Sequence, residues 1–338
     1  MLTACILWRL WGGLNWTEVR LSFSQANALL LAAAIAVSCA TNLLRSLRWR
    51  ALLSPLVSAG IHEVFAATNI GIGASFLFGG AVGELIRPLA LPFLSPHVRP
   101  AASFSTVVVE RVCDLSVLFI LFGLNFLWLP ALAGHRMESA HMREIGIILL
   151  TLPALGLGAL LLLKGRFVST SSRRGERLVA WRLAPNRALR AASRFHQQLT
   201  GAFRVLSSKR ELIVVTLFTA GQWLTVLLAN WLILLAFGLP FGLKQSLLVM
   251  CCGLVGSTVP TPGGAAGAFH AAISGGLIFL GVTLGQAAAI SITAHLVGFV
   301  PALAFGSYYL LHGGVNLRQL QREMSAAARQ TSQSWRLT

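Results

Sequence analysis

Acidic residues are scarce in this sequence of 338 residues. Asp and Glu together number 10, against 27 Lys and Arg, and charged residues make up 11% of the chain. In a soluble domain about a quarter of all residues are charged. Because the charged fraction here is much lower and 56% of the residues are hydrophobic, a soluble fold is excluded. The sequence holds no acidic metal cluster, nucleotide-binding loop or nucleophile motif. Neither a metal nor another cofactor is therefore predicted.

Cysteine is also sparse, and its positions predict no site. The five cysteines lie mostly in apolar runs, and no spacing suggests a disulfide framework or a zinc site. No cleavable signal peptide is predicted, because the apolar stretch at 1–10 is too short. Residues 1–12 are instead expected to be the tail of a truncated helix. The cysteines are Cys5, Cys39, Cys113, Cys251 and Cys252.

Long apolar runs occupy most of the chain. Several reach the ~20 residues that cross a bilayer. They predict an all-α, polytopic integral membrane protein with about six or seven full transmembrane helices and two re-entrant hairpins. We expect one membrane domain over 1–312 and a cytoplasmic tail at 313–338. The runs lie at 26–44, 62–82, 101–129, 145–163, 211–239, 246–281 and 286–311.

Basic residues outnumber acidic ones by 17, which indicates membrane topology rather than nucleic-acid binding. Positive charge collects on the cytoplasmic side of membrane proteins. Residues 164–210 hold twelve Lys or Arg against the single acid Glu176, so this segment is predicted to be cytoplasmic. Part of it has helical apolar spacing, which suits a helix on an anionic membrane surface or a solvated linker helix. The prediction is a multi-pass protein of the plasma (inner) membrane.

The stretch 253–270 cannot be an ordinary membrane helix. Pro260 and Pro262 remove backbone donors, and Gly263 and Gly264 follow at once, which predicts an unwound backbone. In hydrocarbon such a backbone needs protein or a water-filled cavity around it, and a loop on the membrane surface is the alternative. Since half-helix N-termini attract anions, we take Pro262, Gly263 and Gly264 as candidate substrate-binding residues.

The chain contains a repeat at a constant offset of 184 residues. The glycines of 80–83 fall on those of 264–267, and the run at 26–47 falls on 210–231. Basic residues follow the first copy of that run, from Arg45 to Arg50, but precede the second copy at Lys209 and Arg210. The two copies are therefore expected to cross in opposite directions. This predicts an inverted repeat with halves at about 26–128 and 210–312.

Charged residues interrupt the apolar run at 101–129. Glu110, Arg111 and Asp114 lie near the middle of the predicted helix, where each charge costs at least about 2.5 kcal/mol. They form either an ion cluster that pins helices together or a hydrated site where Arg111 meets an anion. Glu84 is a further buried candidate, and Arg87 beside it is a candidate that could instead snorkel to the cytoplasmic face.

Two histidines complete the candidate site. His270 ends the broken stretch, and His295 falls at the repeat position of Arg111. A lone histidine in a helix is more often packed and hydrogen-bonded than a ligand, and two histidines are too few for zinc. The alternative is that both titrate near neutral pH and couple transport to protons.

Four short motifs, in this order and spacing, resemble the flippase-like membrane domain of lysylphosphatidylglycerol synthases, which also exists as stand-alone proteins. The resemblance covers about 26–312 and implies an integral membrane protein that acts on lipids. No segment corresponds to the soluble aminoacyl-transferring domain, so lysyl transfer is not expected. Many members have glutamate near His270, so a carboxylate role there does not carry over. The motifs are Arg45-Ser-Leu-Arg48-Trp49, Gly83-Glu84 with Arg87-Pro88, Val109-Glu110-Arg111 with Asp114, and Pro260-Thr-Pro262-Gly263-Gly264.

These features predict a lipid flippase or transporter rather than a catalyst. Its partners would be membrane lipids with anionic headgroups, held by Arg111 and by the amides at two breaks, the first at Gly79 to Gly83 and the second at Pro262 to Gly264. Glu84, Glu110 and Asp114 would neutralise the site or carry protons. The rivals are a membrane glycosyl- or phospho-transferase that uses Glu110 or Asp114 as base, and a structural subunit that recruits a lipid-modifying enzyme through 164–210.

The inverted topology is testable by cysteine labelling. Cysteines introduced at Ser172 and Gly242 should react with a membrane-impermeant reagent from opposite sides of the membrane, with Ser172 on the cytoplasmic side. Labelling of both positions from one side would remove the inverted repeat.

Overall fold

The structure, a computed structural model, describes residues 12–153, 155 and 209–312, apart from 79, 99, 134–140, 142 and 260–262. The regular structure in these ranges is helical, which confirms the predicted all-α fold. The helices are α1 (Trp16–Gln25), α2 (Ala28–Leu53), α3 (Ile61–Phe78), α4 (Gly80–Leu94), α5 (Pro100–Ala133), α6 (143–153), α7 (Lys209–Ala236), α8 (Leu243–Ser257), α9 (Ala266–Phe279) and α10 (Leu284–His312).

Four of the described helices are long and apolar enough to cross a membrane, namely α2, α3, α10 and the part of α7 at Arg210–Ala236. They confirm a polytopic membrane protein, whereas the predicted number of six or seven spans stays a prediction. Helix α5 has 34 residues but carries three charged residues near its centre. The amphipathic helix predicted within 164–210, the tail at 313–338 and Pro262 lie outside the described residues.

The helices α2–α5 and α7–α10 form two series in the same order. Each helix of the second series starts within three residues of the position that an offset of 184 gives. Within the first series α3 packs against α4, and within the second α8 packs against α9. Contacts between the series are also reciprocal, because α3 packs on α10 and α8 packs on α5.

The equivalent helices α2 and α7 run antiparallel along each other. At one end the Asn27 amide donates to the Ala236 carbonyl at 2.8 Å. Midway, the hydroxyls of Thr41 and Thr225 are 2.9 Å apart, and these two residues are separated by 184 positions. A residue that contacts its own equivalent lies on a two-fold axis. This arrangement is the relation between halves that an inverted repeat requires.

The first helical hairpin, α3–α4, contains glycines that do not break a helix. The run at 62–82 is rich in glycine, but Gly71 and Gly73 lie inside a continuous α3, which ends at Phe78, and α4 begins at Gly80. These glycines serve close packing instead: Gly71 faces Arg87 of α4, and Gly73 faces Leu303 of α10. Small residues let membrane helices approach closely, so a glycine within an apolar run does not by itself predict a break.

The α3–α4 contact yields a prediction. A Cβ at Gly83 would overlap the Gly71 carbonyl oxygen and the Ser75 backbone nitrogen, and backbone atoms cannot move aside as a flexible side chain can. The Gly83→Ala variant should therefore have a lower melting temperature and a lower folded yield in detergent.

Gly275→Ala is the matched control, because Gly275 also lies inside a helix and a Cβ added there would meet no atom within 4 Å. It should be neutral or stabilising, since alanine is favoured over glycine in helices by up to about 1 kcal/mol. Equal melting temperatures for both variants would contradict the close α3–α4 contact.

Candidate functional site

Glu110 is the centre of a buried ion network. Its side chain is 0% exposed. Arg48 donates to Oε1 at 2.6 Å, and the two terminal nitrogens of Arg87 donate one to each carboxylate oxygen at 2.8 Å. Such two-pronged guanidinium–carboxylate pairs are strong and directional. The Glu110 network thereby joins α2, α4 and α5.

Asp114 lies one turn further along α5 and extends the network. Arg48 Nη1 contacts Asp114 Oδ1 at 2.6 Å, so one guanidinium bridges both buried acids. Arg111 contacts Oδ2 at 2.9 Å, and the indole nitrogen of Trp223 donates to Oδ1 at 3.4 Å. Since Trp223 belongs to α7, the network reaches into the second half of the repeat.

The outer end of the network is the pair of Arg111 and Glu84. Arg111 Nη1 lies 2.9 Å from Glu84 Oε1, and these side chains are 41% and 49% exposed. Arg111 also contacts Asp114, so it stands between the buried acids and the surface. This pair is the part of the network that a ligand can reach without unfolding the helices.

The structure thus brings together five predicted site residues. Glu84, Arg87, Glu110, Arg111 and Asp114 all belong to the Glu110 network. Arg87 does not snorkel to the surface: it is buried and lies 4.0 Å from the centre of the Trp49 ring. Its charge is thus compensated inside the protein by a carboxylate and an aromatic face.

Two residues of the site were missed by the sequence analysis. Arg48 was assigned to a basic cluster that follows the first span, and Trp49 was named only as part of a motif, but both lie inside α2 and are fully buried. The Trp49 indole donates to Thr106 Oγ1 of α5 at 2.9 Å. The available signal was the apolar sequence Ala51-Leu52-Leu53 after them, which indicates that the helix continues past both residues.

The two predicted histidines lie together in a separate aromatic cluster. The ring centres of His270 and His295 are 4.9 Å apart, and both side chains are buried. His295 also contacts the rings of Phe76, Phe269 and Phe299 with centres 5.0–5.6 Å away. No hydrogen bond or ion pair among the described residues joins His295 to the Glu110 network, although Arg111 is its repeat equivalent.

The second break, at 263–265, has an unwound backbone. Gly263, Gly264 and Ala265 have φ of 77°, 61° and 60°, values that end a right-handed helix and cost a non-glycine residue about 1–3 kcal/mol. The Gly264 amide donates to the Phe76 carbonyl near the end of α3 at 2.9 Å. The second break therefore lies against the end of α3, and the Gly264 amide, which was predicted to bind the headgroup, already donates to a carbonyl.

Comparison with known proteins gives one family. The family model described as lysylphosphatidylglycerol synthase TM region matches residues 1–306. No curated protein and no solved structure matches the chain. The matched range contains the whole Glu110 network, the second break and both histidines.

The Glu110 network predicts a stability effect. Glu110→Gln should lower the melting temperature and folded yield strongly, since removing one partner of a buried ion pair costs about 3–5 kcal/mol. Adding Arg87→Met should restore part of the loss, because it removes the cation left without a carboxylate. Thermal unfolding in detergent measures both effects.

Glu144→Gln serves as the control, since Glu144 is an exposed acid of α6 and its loss should leave the melting temperature unchanged. If Glu110→Gln melts at the temperature of the unmodified protein, the network does not hold these helices together.

Proposed function

The chain belongs to the lysylphosphatidylglycerol synthase TM region family, and from this premise we propose that it moves a lipid between the two leaflets of a membrane. The family is a membrane domain associated with lipid modification. The proposed cargo is a phospholipid or a polyprenyl-phosphate-type lipid, whose anionic headgroup needs a polar route past the hydrocarbon core. The proposed location is the inner membrane, with 164–210 and the tail at 313–338 in the cytoplasm.

The observation that carries this proposal is the contrast within the Glu110 network. Arg48 and Glu110 are fully buried and paired, whereas Arg111 and Glu84 are reachable from outside. Glu110 lies ten residues into α5, about 15 Å along the helix axis. A reachable arginine at such depth is a place where a phosphate can replace a carboxylate partner while the arginine itself stays paired.

The proposed step is an exchange of partners at Arg111. The guanidinium leaves Glu84 and donates to a phosphate oxygen, while its second contact, to Asp114, is kept. Arginine suits this exchange because its planar donors match carboxylate and phosphate alike. Glu84, being half exposed, is then solvated. When the lipid leaves, the Arg111–Glu84 pair re-forms and closes the network.

The histidine cluster and the second break have a supporting role in this proposal. His295 contacts Phe76 of α3, and Gly264 bonds to the same residue, so this cluster joins the two halves. Protonation of either ring would place a charge among phenylalanine side chains. We assign the cluster to coupling between the halves rather than to direct contact with the headgroup.

A membrane transferase is the rival function, and the geometry argues against it. A general base must lie within hydrogen-bond reach of the substrate proton that it accepts. Glu110 is 0% exposed and its oxygens are held by Arg48 and Arg87, and Asp114 is 9% exposed and is held by Arg48 and Arg111, so neither carboxylate is open to a substrate. A covalent change in a lipid incubated with the purified protein would favour the transferase.

Lipid movement can be tested in liposomes. The purified protein should move fluorescent phospholipids from the inner to the outer leaflet, measured by the fraction that dithionite quenches. Arg111→Gln should slow this movement roughly tenfold to a hundredfold, the worth of one hydrogen bond to a charged group. Its folded yield should fall only modestly, because Arg111 is half exposed.

Arg20→Gln is the matched control, since Arg20 is an exposed cation on α1 that lies outside the network. It should transport like the unmodified protein. The proposal fails if the unmodified protein moves none of a panel of anionic and zwitterionic lipids, or if Arg111→Gln moves them at the full rate.

A further inference from the structure

Arg45 is a cation of α2 that has no ionic partner among the described residues. It lies one helical turn before Arg48 and on the same side of the helix. Arg48 binds two carboxylates, whereas no carboxylate of the described residues lies within ion-pair distance of Arg45. Arg45 is nevertheless within electrostatic range of Asp114 and Glu110. Its side chain is partly exposed, unlike that of Arg48.

The charges around Arg45 do not balance. The Glu110 network contains three arginines and three acids, so its net charge is zero. They are Arg48, Arg87 and Arg111, and Glu84, Glu110 and Asp114. Arg45 adds one positive charge that no described side chain compensates. An unpaired charge in a membrane helix is energetically costly. A ligand with one negative charge would remove this cost.

Asn42 provides a second donor at the same place. It precedes Arg45 by three residues, so the two side chains are neighbours on α2. Asn42 is 4% exposed, and its Nδ2 has no hydrogen-bond partner among the described residues. A buried amide donor without a partner is rare in native proteins. The neighbouring guanidinium and amide together offer donors to an anion.

Arg45 is too deep to act only as a marker of the cytoplasmic side. Eight residues separate it from Leu53 at the end of α2, about 12 Å along the axis. Arg50 is the residue that fits such a marker, since it is exposed and donates to the Ala59 carbonyl near the helix end. The sequence places both arginines in one basic cluster, but the structure separates their environments.

We propose that Arg45 and Asn42 bind one phosphate group of single negative charge, the phosphodiester of a membrane lipid. This inference rests on the proposed lipid transport and names the place where the headgroup waits beside the network. Arg45 donates two parallel hydrogen bonds to the phosphate oxygens, and Asn42 Nδ2 donates a third. The bound phosphate brings the sum of charges around Glu110 to zero, after which Arg111 can exchange Glu84 for the same headgroup.

The test is a binding measurement on the purified full chain in detergent. Native mass spectrometry records retention of phosphatidylglycerol, of diacylglycerol with the same acyl chains, and of phosphatidylglycerol in the presence of glycerol 3-phosphate. The unmodified protein should retain the phospholipid and not the diacylglycerol. Arg45→Gln should weaken retention roughly tenfold or more, the worth of hydrogen bonds to a charged group. Asn42→Leu should weaken it less, and Arg50→Gln not at all.

Each outcome decides a different point. Retention by Arg45→Gln equal to that of the unmodified protein would overturn the inference. Full displacement by glycerol 3-phosphate at the affinity of the lipid would keep the phosphate site but overturn the lipid as its occupant. If Arg45→Gln does not fold, Arg45→Lys carries the test, because it keeps the charge and loses the planar fork, so weaker retention is expected and unchanged retention would refute the site.

The liposome assay separates this inference from the function. If Arg45→Gln loses phospholipid retention but the unmodified protein moves no lipid, the phosphate site is supported and the transport function is refuted. If the unmodified protein moves lipid and Arg45→Gln moves it at the same rate, the transport function is supported and the Arg45 site is refuted.

Discussion

The packing of the helices depends on one requirement: a charged side chain buried in a membrane protein needs a partner of opposite charge within the same protein. Glu110 and Asp114 lie near the middle of a helix that is otherwise apolar, and water cannot solvate them there. Their partners come from other helices, with Arg48 from α2 and Arg87 from α4. Because each ion would be costly alone, these helices can only assemble together. The same demand fixes their relative positions closely enough to build a site.

The exposed end of the Glu110 network contributes little to stability. Arg111 and Glu84 are half exposed, and exposed ion pairs contribute about 0–1 kcal/mol. The buried pairs account for the packing of the helices, whereas the proposed lipid binding rests on the exposed pair and on Arg45.

Periodicity and charge in the sequence predict the helical class, the repeat and most of the network. Glu110, Arg111 and Asp114 stand out because charge is rare in such a run, and Glu84 and Arg87 follow from the first break. Arg48 does not stand out, since a basic residue near the end of a membrane helix is equally typical of a cytoplasmic helix end. The break at 263–265 was predicted from prolines and glycines, but the bond from Gly264 to Phe76 was not, because it depends on two segments far apart in sequence. The burial of Arg87 against Trp49 likewise depends on packing between helices.

The contact of Thr41 with Thr225 places a two-fold axis between the halves, and this symmetry has an energetic consequence for the proposed transport. In an inverted repeat the inward-open and outward-open states are related by exchanging the roles of the halves. Two chemically identical halves would make these states equal in free energy. Here the first half carries the ion network, whereas the repeat equivalents of Arg48, Glu110 and Asp114 in the second half are apolar: Leu232, Ala294 and Gly298. For the proposed transporter the two states are therefore unequal in free energy, and binding of the cargo would have to supply the difference.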